Sequence, residues 1–134
     1  MQKNIFEPSG KIGQKDFITN YILLLMTYIL GGTLIFFLVN KYHLGITYIV
    51  LPLLLIKTLI AFNYKKRILD ITEKLIPSII WAIILTFDTE LLTFCQTIKN
   101  VQLSIFLFVI FGIFIILIQP AIVALIPAQK TNNN

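Results

Sequence analysis

The chain has 134 residues, of which 57% are hydrophobic and 13% charged, with a mean hydropathy of +0.89. Soluble domains carry roughly 25% charged residues, and a chain this short has too much surface to hide so much apolar material from water; the composition excludes a soluble globule and predicts an all-α integral membrane helical bundle. The net charge of +5 is dispersed between apolar blocks without an aromatic-interleaved basic face, which argues against nucleic acid as a partner, and the single cysteine, Cys95, excludes an intramolecular disulfide and a zinc motif.

Residues 1–16 are polar to amphipathic, with Pro8-Ser9-Gly10 as turn chemistry. No cleavable leader is expected, because the first apolar block is too long for one and no small-residue cleavage site follows it. Residues 17–39 run without a charge, enough for one tilted crossing of a hydrocarbon core about 30 Å thick. Gly31-Gly32 lies mid-span, where it can bend the helix or admit a close neighbour. After Lys41, Tyr42 and His43 comes a second block, 44–62, containing Pro52 and Lys57; proline is tolerated there because neighbouring helices satisfy the freed carbonyl. The stretch 63–74 holds Lys65, Lys66, Arg67, Asp70, Glu73 and Lys74 and reads as a charged loop. The third block is apolar only over 75–87, about 20 Å of helix, too short to span alone. Continued through Asp88 and Glu90 to 94 it reaches spanning length; a re-entrant or interfacial segment is the competing reading. The fourth block, 103–126, is interrupted only by Gln119-Pro120, and the tail 129–134 is polar. Four transmembrane helices are therefore predicted, over 17–39, 44–62, 75–94 and 103–126.

With four spans the loops alternate sides. One side then holds Lys3, Lys11, Lys15, Lys65, Lys66, Arg67, Lys74 and Lys130, the other Lys41 and Lys99. This asymmetry predicts both termini and the 63–74 loop in the cytoplasm. The lipid bilayer is the expected partner, with anionic lipids drawn to the basic face at about 1 kcal/mol per basic residue.

Two segments carry a family likeness. The stretch Phe6-Glu7-Pro8-Ser9-Gly10-Lys11-Ile12-Gly13-Gln14-Lys15-Asp16-Phe17 and the later Lys66-Arg67-Ile68-Leu69-Asp70-Ile71 resemble the two signatures of the DUF805 family of small bacterial inner-membrane proteins. Those read F-x-x-x-G-R-x-S/G-R-x-E/D-F/Y-W before the first span and K/R-R-L-H-D after the second. Gly10, Lys11, Asp16 and Phe17, then Lys66, Arg67 and Asp70, are the family-like positions. Lys11 and Gln14 stand where arginines are usual, Ile18 replaces tryptophan, and Leu69 replaces histidine. The resemblance implies a location in the cell inner membrane and brings no substrate, cofactor or reaction with it. Read by themselves, Gly13 and Asp16 have the spacing of half a capping box, which starts a helix at the interface. Asp70 lies three and four residues after Arg67 and Lys66, on one face if the segment is helical, and reads as a self-neutralised helix end rather than a ligand site.

Inside the spans, Lys57, Asp88, Glu90 and Gln119 are the candidate functional polar residues, because an ionisable group in a membrane helix costs about 3 kcal/mol on insertion scales. Lys57 lies five residues, about 7.5 Å, from the end of its block at Phe62 and is expected to snorkel to the interface; a buried lysine partnered by Gln119 is the competing reading. Asp88 and Glu90 are placed toward the outer face, near Lys41, His43 and Lys99, so direct pairing with Lys57 is not expected. Ser78, Ala82, Thr86 and Glu90 recur every four residues as a small-polar stripe, suited to close helix packing or, more sharply, to placing a carboxylate on a polar cavity. Ser104, Gly112 and Gln119 form a comparable stripe. Trp81 is mid-span and expected to pack; His43 and Cys95 are assigned loop and core roles. No cofactor, metal site or enzymatic activity is expected. The favoured function is a structural or accessory membrane protein that forms a homo-oligomer or docks on a membrane-protein partner. The alternative is a small transporter or channel using the intramembrane polar residues.

Overall fold

The computed structural model describes residues 10–128; Lys3, the motif residues Phe6, Glu7, Pro8 and Ser9, and the tail 129–134 with Lys130 lie outside the described residues. Four helices are long and apolar enough to cross a membrane, Gln14–Tyr42, Thr47–Thr72, Leu75–Cys95 and Val101–Leu125, and they form an all-α bundle. The outward faces are hydrocarbon: Leu30, Phe37, Leu55, Ile76, Phe106 and Leu117 all stand exposed, as a bilayer solvent requires. Hydroxyls on these faces turn back to their own helix, as when Thr27 and Thr58 donate to Leu23 and Leu54 carbonyls at 2.8 and 2.9 Å.

Helix α1 (Gln14–Tyr42) starts after Gly13 as N-cap, with Asp16 in its first turn, where a carboxylate faces the positive end of the helix dipole. It closes at His43, whose left-handed φ of 53° lets its amide bond the Val39 carbonyl. Of the mid-span glycines, Gly32 admits the neighbour: a Cβ there would stand 3.3 Å from Leu53 Cδ2, whereas Gly31 faces open space.

Helix α2 (Thr47–Thr72) departs from the sequence expectation. The stretch read as a charged loop continues the helix to Thr72, and the connection shrinks to Glu73 and Lys74. The segment stays helical because polar groups along it find partners inside the bundle, although Asn63 Oδ1 has none among the described residues. Asn63 Nδ2 donates to the Phe17 carbonyl at 3.1 Å, Arg67 pairs with Asp70 at 2.7 Å, and the Thr72 hydroxyl donates to the Ile68 carbonyl at 2.9 Å. Glu73 ends the helix in the left-handed region at φ 57°, and its carboxylate takes Lys11 Nζ at 3.0 Å.

The third span consists of α3 (Leu75–Phe87) and α4 (Glu90–Cys95), joined by a turn at Asp88 and Thr89. Pro77 falls in the first turn of α3, where its missing N–H leaves no bond unmade. Ser78, Ala82 and Thr86 are buried on the face that packs against α2, so the small-polar stripe is a packing face over those three positions.

The fourth span is α5 (Val101–Ile113), a π-helical turn over Phe114–Ile118, and α6 (Gln119–Leu125). Asn100 caps α5 by accepting the Leu103 amide at 3.1 Å. Pro120 has no N–H, so the carbonyl four residues back, that of Ile116, loses its helical donor. Tyr21 of α1 supplies the replacement, its hydroxyl donating to Ile116 O at 3.0 Å.

The start of α1, the end of α2 and the end of α6 converge at one end of the bundle. Phe17, Tyr64, Ile68, Ala82, Val123 and Ala124 form the core there, with the Phe17 and Tyr64 rings edge to face at 5.4 Å. Arg67, 1% exposed, lies across this core. Its Nε donates to Val123 O at 3.3 Å, and its Nη2 to Ala124 O and Ile126 O at 3.0 and 2.5 Å. Gln14 Nε2 donates to Leu125 O at 3.4 Å. These are the closing carbonyls of α6, which lack helical donors and carry the negative end of its dipole.

Replacing Arg67 by leucine strips those carbonyls of their donor and leaves Asp70 without its counter-charge. The expected loss is about 3–5 kcal/mol of unfolding free energy, measured by denaturant titration in mixed micelles. Arg67→Lys should recover less than half of it, because one ammonium cannot reproduce the planar fork. Unchanged unfolding midpoints in both variants would show that the guanidinium does not hold α6.

Candidate functional site

The intramembrane polar residues lie in two cavities on either side of Leu85, which lines both. The first is set by hairpin register. Lys57 precedes Glu73 by sixteen residues and Glu90 follows Lys74 by sixteen, so two antiparallel helices turning at Glu73–Lys74 bring the pair level. Lys57 Nζ and Glu90 Oε1 stand 2.5 Å apart.

This overturns the expectation that Lys57 does not meet the carboxylates of the third span. The helix runs on to Thr72, and the turn at Glu73–Lys74 sets Lys57 level with Glu90. The Lys57 side chain is 15% exposed and that of Glu90 61%. The Phe87 ring centroid lies 5.7 Å from Lys57 Nζ, a cation–π distance. Lys41, His43 and Lys99, expected beside the carboxylates, do not take Glu90: Lys41 rests over the Tyr42 ring and His43 closes α1.

The pair opens onto a cavity of about 270 Å³ among the helices, where Tyr21, Tyr28, Tyr64, Thr86, Thr89 and Thr93 also contribute wall. Part of this polar lining is already engaged. Tyr21 holds the Ile116 carbonyl, and the Thr86 hydroxyl donates to Ala82 O at 2.7 Å. The lysine and the carboxylate are the charged groups on its wall. Chemically, the cavity can hold a small ion or polar solute between opposite charges.

The second cavity, about 570 Å³, is a groove containing Asp88 and Gln119 with Trp81, Leu85, Phe114 and Ile122 in its walls. Gln119 does not meet Lys57. Its Nε2 donates to Leu85 O at 3.4 Å, and its side chain faces Asp88. Asp88 Oδ1 is buried without a hydrogen-bond partner among the described residues. Trp81 is 52% exposed and forms part of the outer wall, in place of the packing role expected for it. Cys95 is buried as expected, and its carbonyl accepts the Ser104 hydroxyl at 2.7 Å.

The family-like residues gather at the basic end. Gly10 turns the chain with φ 87°, Lys11 reaches Glu73, Asp16 begins α1, and Phe17, Lys66 and Arg67 are buried with Asp70 against Arg67. Ile12 and Phe17 of the first motif share one core with Ile68 of the second. Tyr21, Asn63 and Tyr64 were not singled out from the sequence. The signal for Tyr21 was present in Pro120, whose freed carbonyl demands a donor from a neighbouring helix. Among the described residues, no group of three or more His, Cys, Asp or Glu is placed to hold a metal ion.

Comparison with protein-family models, with curated proteins and with solved structures gives no match.

The Lys57–Glu90 pair is testable by a double-mutant cycle. Lys57→Met and Glu90→Gln should each destabilise the protein in micelles, and the double variant should lose less than their sum, with a coupling of at least about 0.5 kcal/mol. Strict additivity would mean that the two side chains do not interact.

Proposed function

We propose that this small multi-pass membrane protein is a transporter or channel for a small ion or polar solute, working through the cavity at Lys57 and Glu90. One observation carries the reading: an oppositely charged pair on two membrane-spanning helices lines a cavity between them. Ionisable groups are expensive at that depth and mark ion or substrate paths by default. In the mechanism proposed, the solute competes with Lys57 for Glu90, or with Glu90 for Lys57. Each exchange keeps both charges compensated while the occupant passes. The proposal is non-enzymatic and assigns no cofactor.

The same proposal places both termini and the Glu73–Lys74 turn in the cytoplasm of a bacterial cell, in the inner membrane. It is supported by the gathering of Lys11, Lys15, Lys65, Lys66, Arg67 and Lys74 at one end of the bundle and of Lys41 and Lys99 at the other, the asymmetry that orients membrane helices. Membership of the DUF805 family belongs to it as well, supported by the burial of Ile12 and Phe17 from the first resembling segment in one core with Ile68 from the second. Anionic head groups are the lipids proposed at the basic end.

Proteoliposomes loaded with an ion-sensitive dye test the transport reading. Wild-type protein should collapse an imposed gradient of a monovalent ion, and Glu90→Gln or Lys57→Met should slow the collapse at least tenfold. Flux equal to that of empty liposomes for proton, sodium, potassium and chloride gradients would sink it.

A specific observation favours a second, accessory reading. The Glu90 side chain is 61% exposed beside the exposed apolar residues Phe87, Leu91 and Phe94, a position that another copy or a partner helix would shield. Light scattering of the detergent-solubilised protein is then expected to return a dimer or larger, shifted toward monomer by Phe94→Lys. A wild-type monomer at all concentrations removes the homo-oligomer.

A further inference from the structure

The seam between the third and fourth spans is not sealed. Helix α3 packs on α2 and helix α6 on α1, which leaves the groove of about 570 Å³ between them. That volume lies within the roughly 300–1,000 Å³ of small-molecule sites. Trp81, Phe114 and Ile122 are exposed along it, so it opens sideways, toward the hydrocarbon of the bilayer. Its walls are apolar and aromatic except for two groups, Asp88 and Gln119.

Asp88 sets the chemistry. Its carboxylate is met by the Gln119 side chain and the Thr89 amide, while Oδ1 is shielded with no hydrogen-bond partner among the described residues. Lys57 acts on this carboxylate across the helix pair, but its ammonium is held 2.5 Å from Glu90, in the other cavity. A carboxylate in apolar surroundings without a directly paired cation is unfavourable, and a cationic ligand offsets that cost. The surrounding hydrocarbon rejects a strongly hydrated inorganic ion and a second anion alike. Aromatic faces beside the carboxylate attract positive charge.

We propose that the groove binds an amphipathic organic cation, an alkyl- or arylammonium. The head group donates to Asp88 and Gln119, and the hydrocarbon body lies along Trp81, Phe114 and Ile122. The ligand reaches the site from the lipid phase, where such molecules accumulate. This inference does not depend on the transport reading, because Asp88 and Glu90 serve different cavities.

The chain contains one tryptophan, and it is Trp81, so its emission reports directly on the groove. Octylammonium titrated into the purified protein in lipid nanodiscs should change that emission saturably. Octanol at equal membrane concentration should not compete. Asp88→Asn should weaken the apparent affinity at least tenfold. Ile122→Phe narrows the groove from an exposed wall position and should weaken it similarly, which keeps the proposal testable if Asp88→Asn misfolds. A non-saturating response, equal responses to octylammonium and octanol, or unaltered affinity in folded Asp88→Asn would each mean a groove filled by lipid chains and overturn the proposal. Saturable, Asp88-dependent binding by a protein that shows no ion flux would leave this inference standing while removing the transport reading.

Discussion

Between helices immersed in lipid there is no hydrophobic driving force, since the lipid chains are as apolar as the side chains they replace. Directional polar bonds and close packing must then decide which helices meet and in what register. In this protein the decisive group is the guanidinium of Arg67, which gathers the closing carbonyls of α6 and the carboxylate of Asp70. Left without Arg67, that helix end would present its unsatisfied carbonyls to the interior of the bundle. With Arg67 in place, α2 is compelled to remain helical through its charged stretch, because the arginine must reach α6 from a defined height. The turn to the third span is thereby delayed to Glu73 and Lys74, and that position sets which residues of the two helices stand opposite each other. The meeting of Lys57 with Glu90 follows from it.

The fourth span absorbs its irregularities against α1. Pro120 would leave Ile116 O unbonded in a straight isolated helix. The Tyr21 hydroxyl removes that deficit, and the π-helical turn just before it lets the Gln119 amide bond Phe114 O, one residue further back than in an α-helix. The extra residue in that turn rotates everything after it, and Gln119 comes to face Leu85 and Asp88.

The two carboxylates of the third span, two positions apart, have opposite circumstances for a simple geometric reason. Residues two apart on a helix differ by about 200° in direction, so Asp88 and Glu90 point to opposite sides of the segment. The turn at Asp88–Thr89 preserves that divergence. Glu90 meets a lysine from α2. Asp88 is turned into the groove beside Gln119. One short polar interruption in an apolar span thus supplies a charge to each of two cavities, with Leu85 between them.

Chain composition and period alone determined that the solvent is a bilayer, that the first, second and fourth blocks reach spanning length, and that Ser78, Ala82 and Thr86 share a face; the structure added that the third block spans as well. Those properties depend on averages over some twenty residues or on a spacing of four, and no partner is needed to read them. The same holds for the helix start after Gly13 and the Arg67–Asp70 pair, both local in sequence. Tertiary structure decided the rest. The stretch 63–72 carries enough charge to pass for a loop, and what keeps it helical are acceptors 56 to 59 residues away, invisible to any local pattern. The pairing of Lys57 with Glu90 follows from where that helix ends. Trp81 could pack inward or stand on a groove wall with the same mid-span position, and only the open seam beside α6 selected the second.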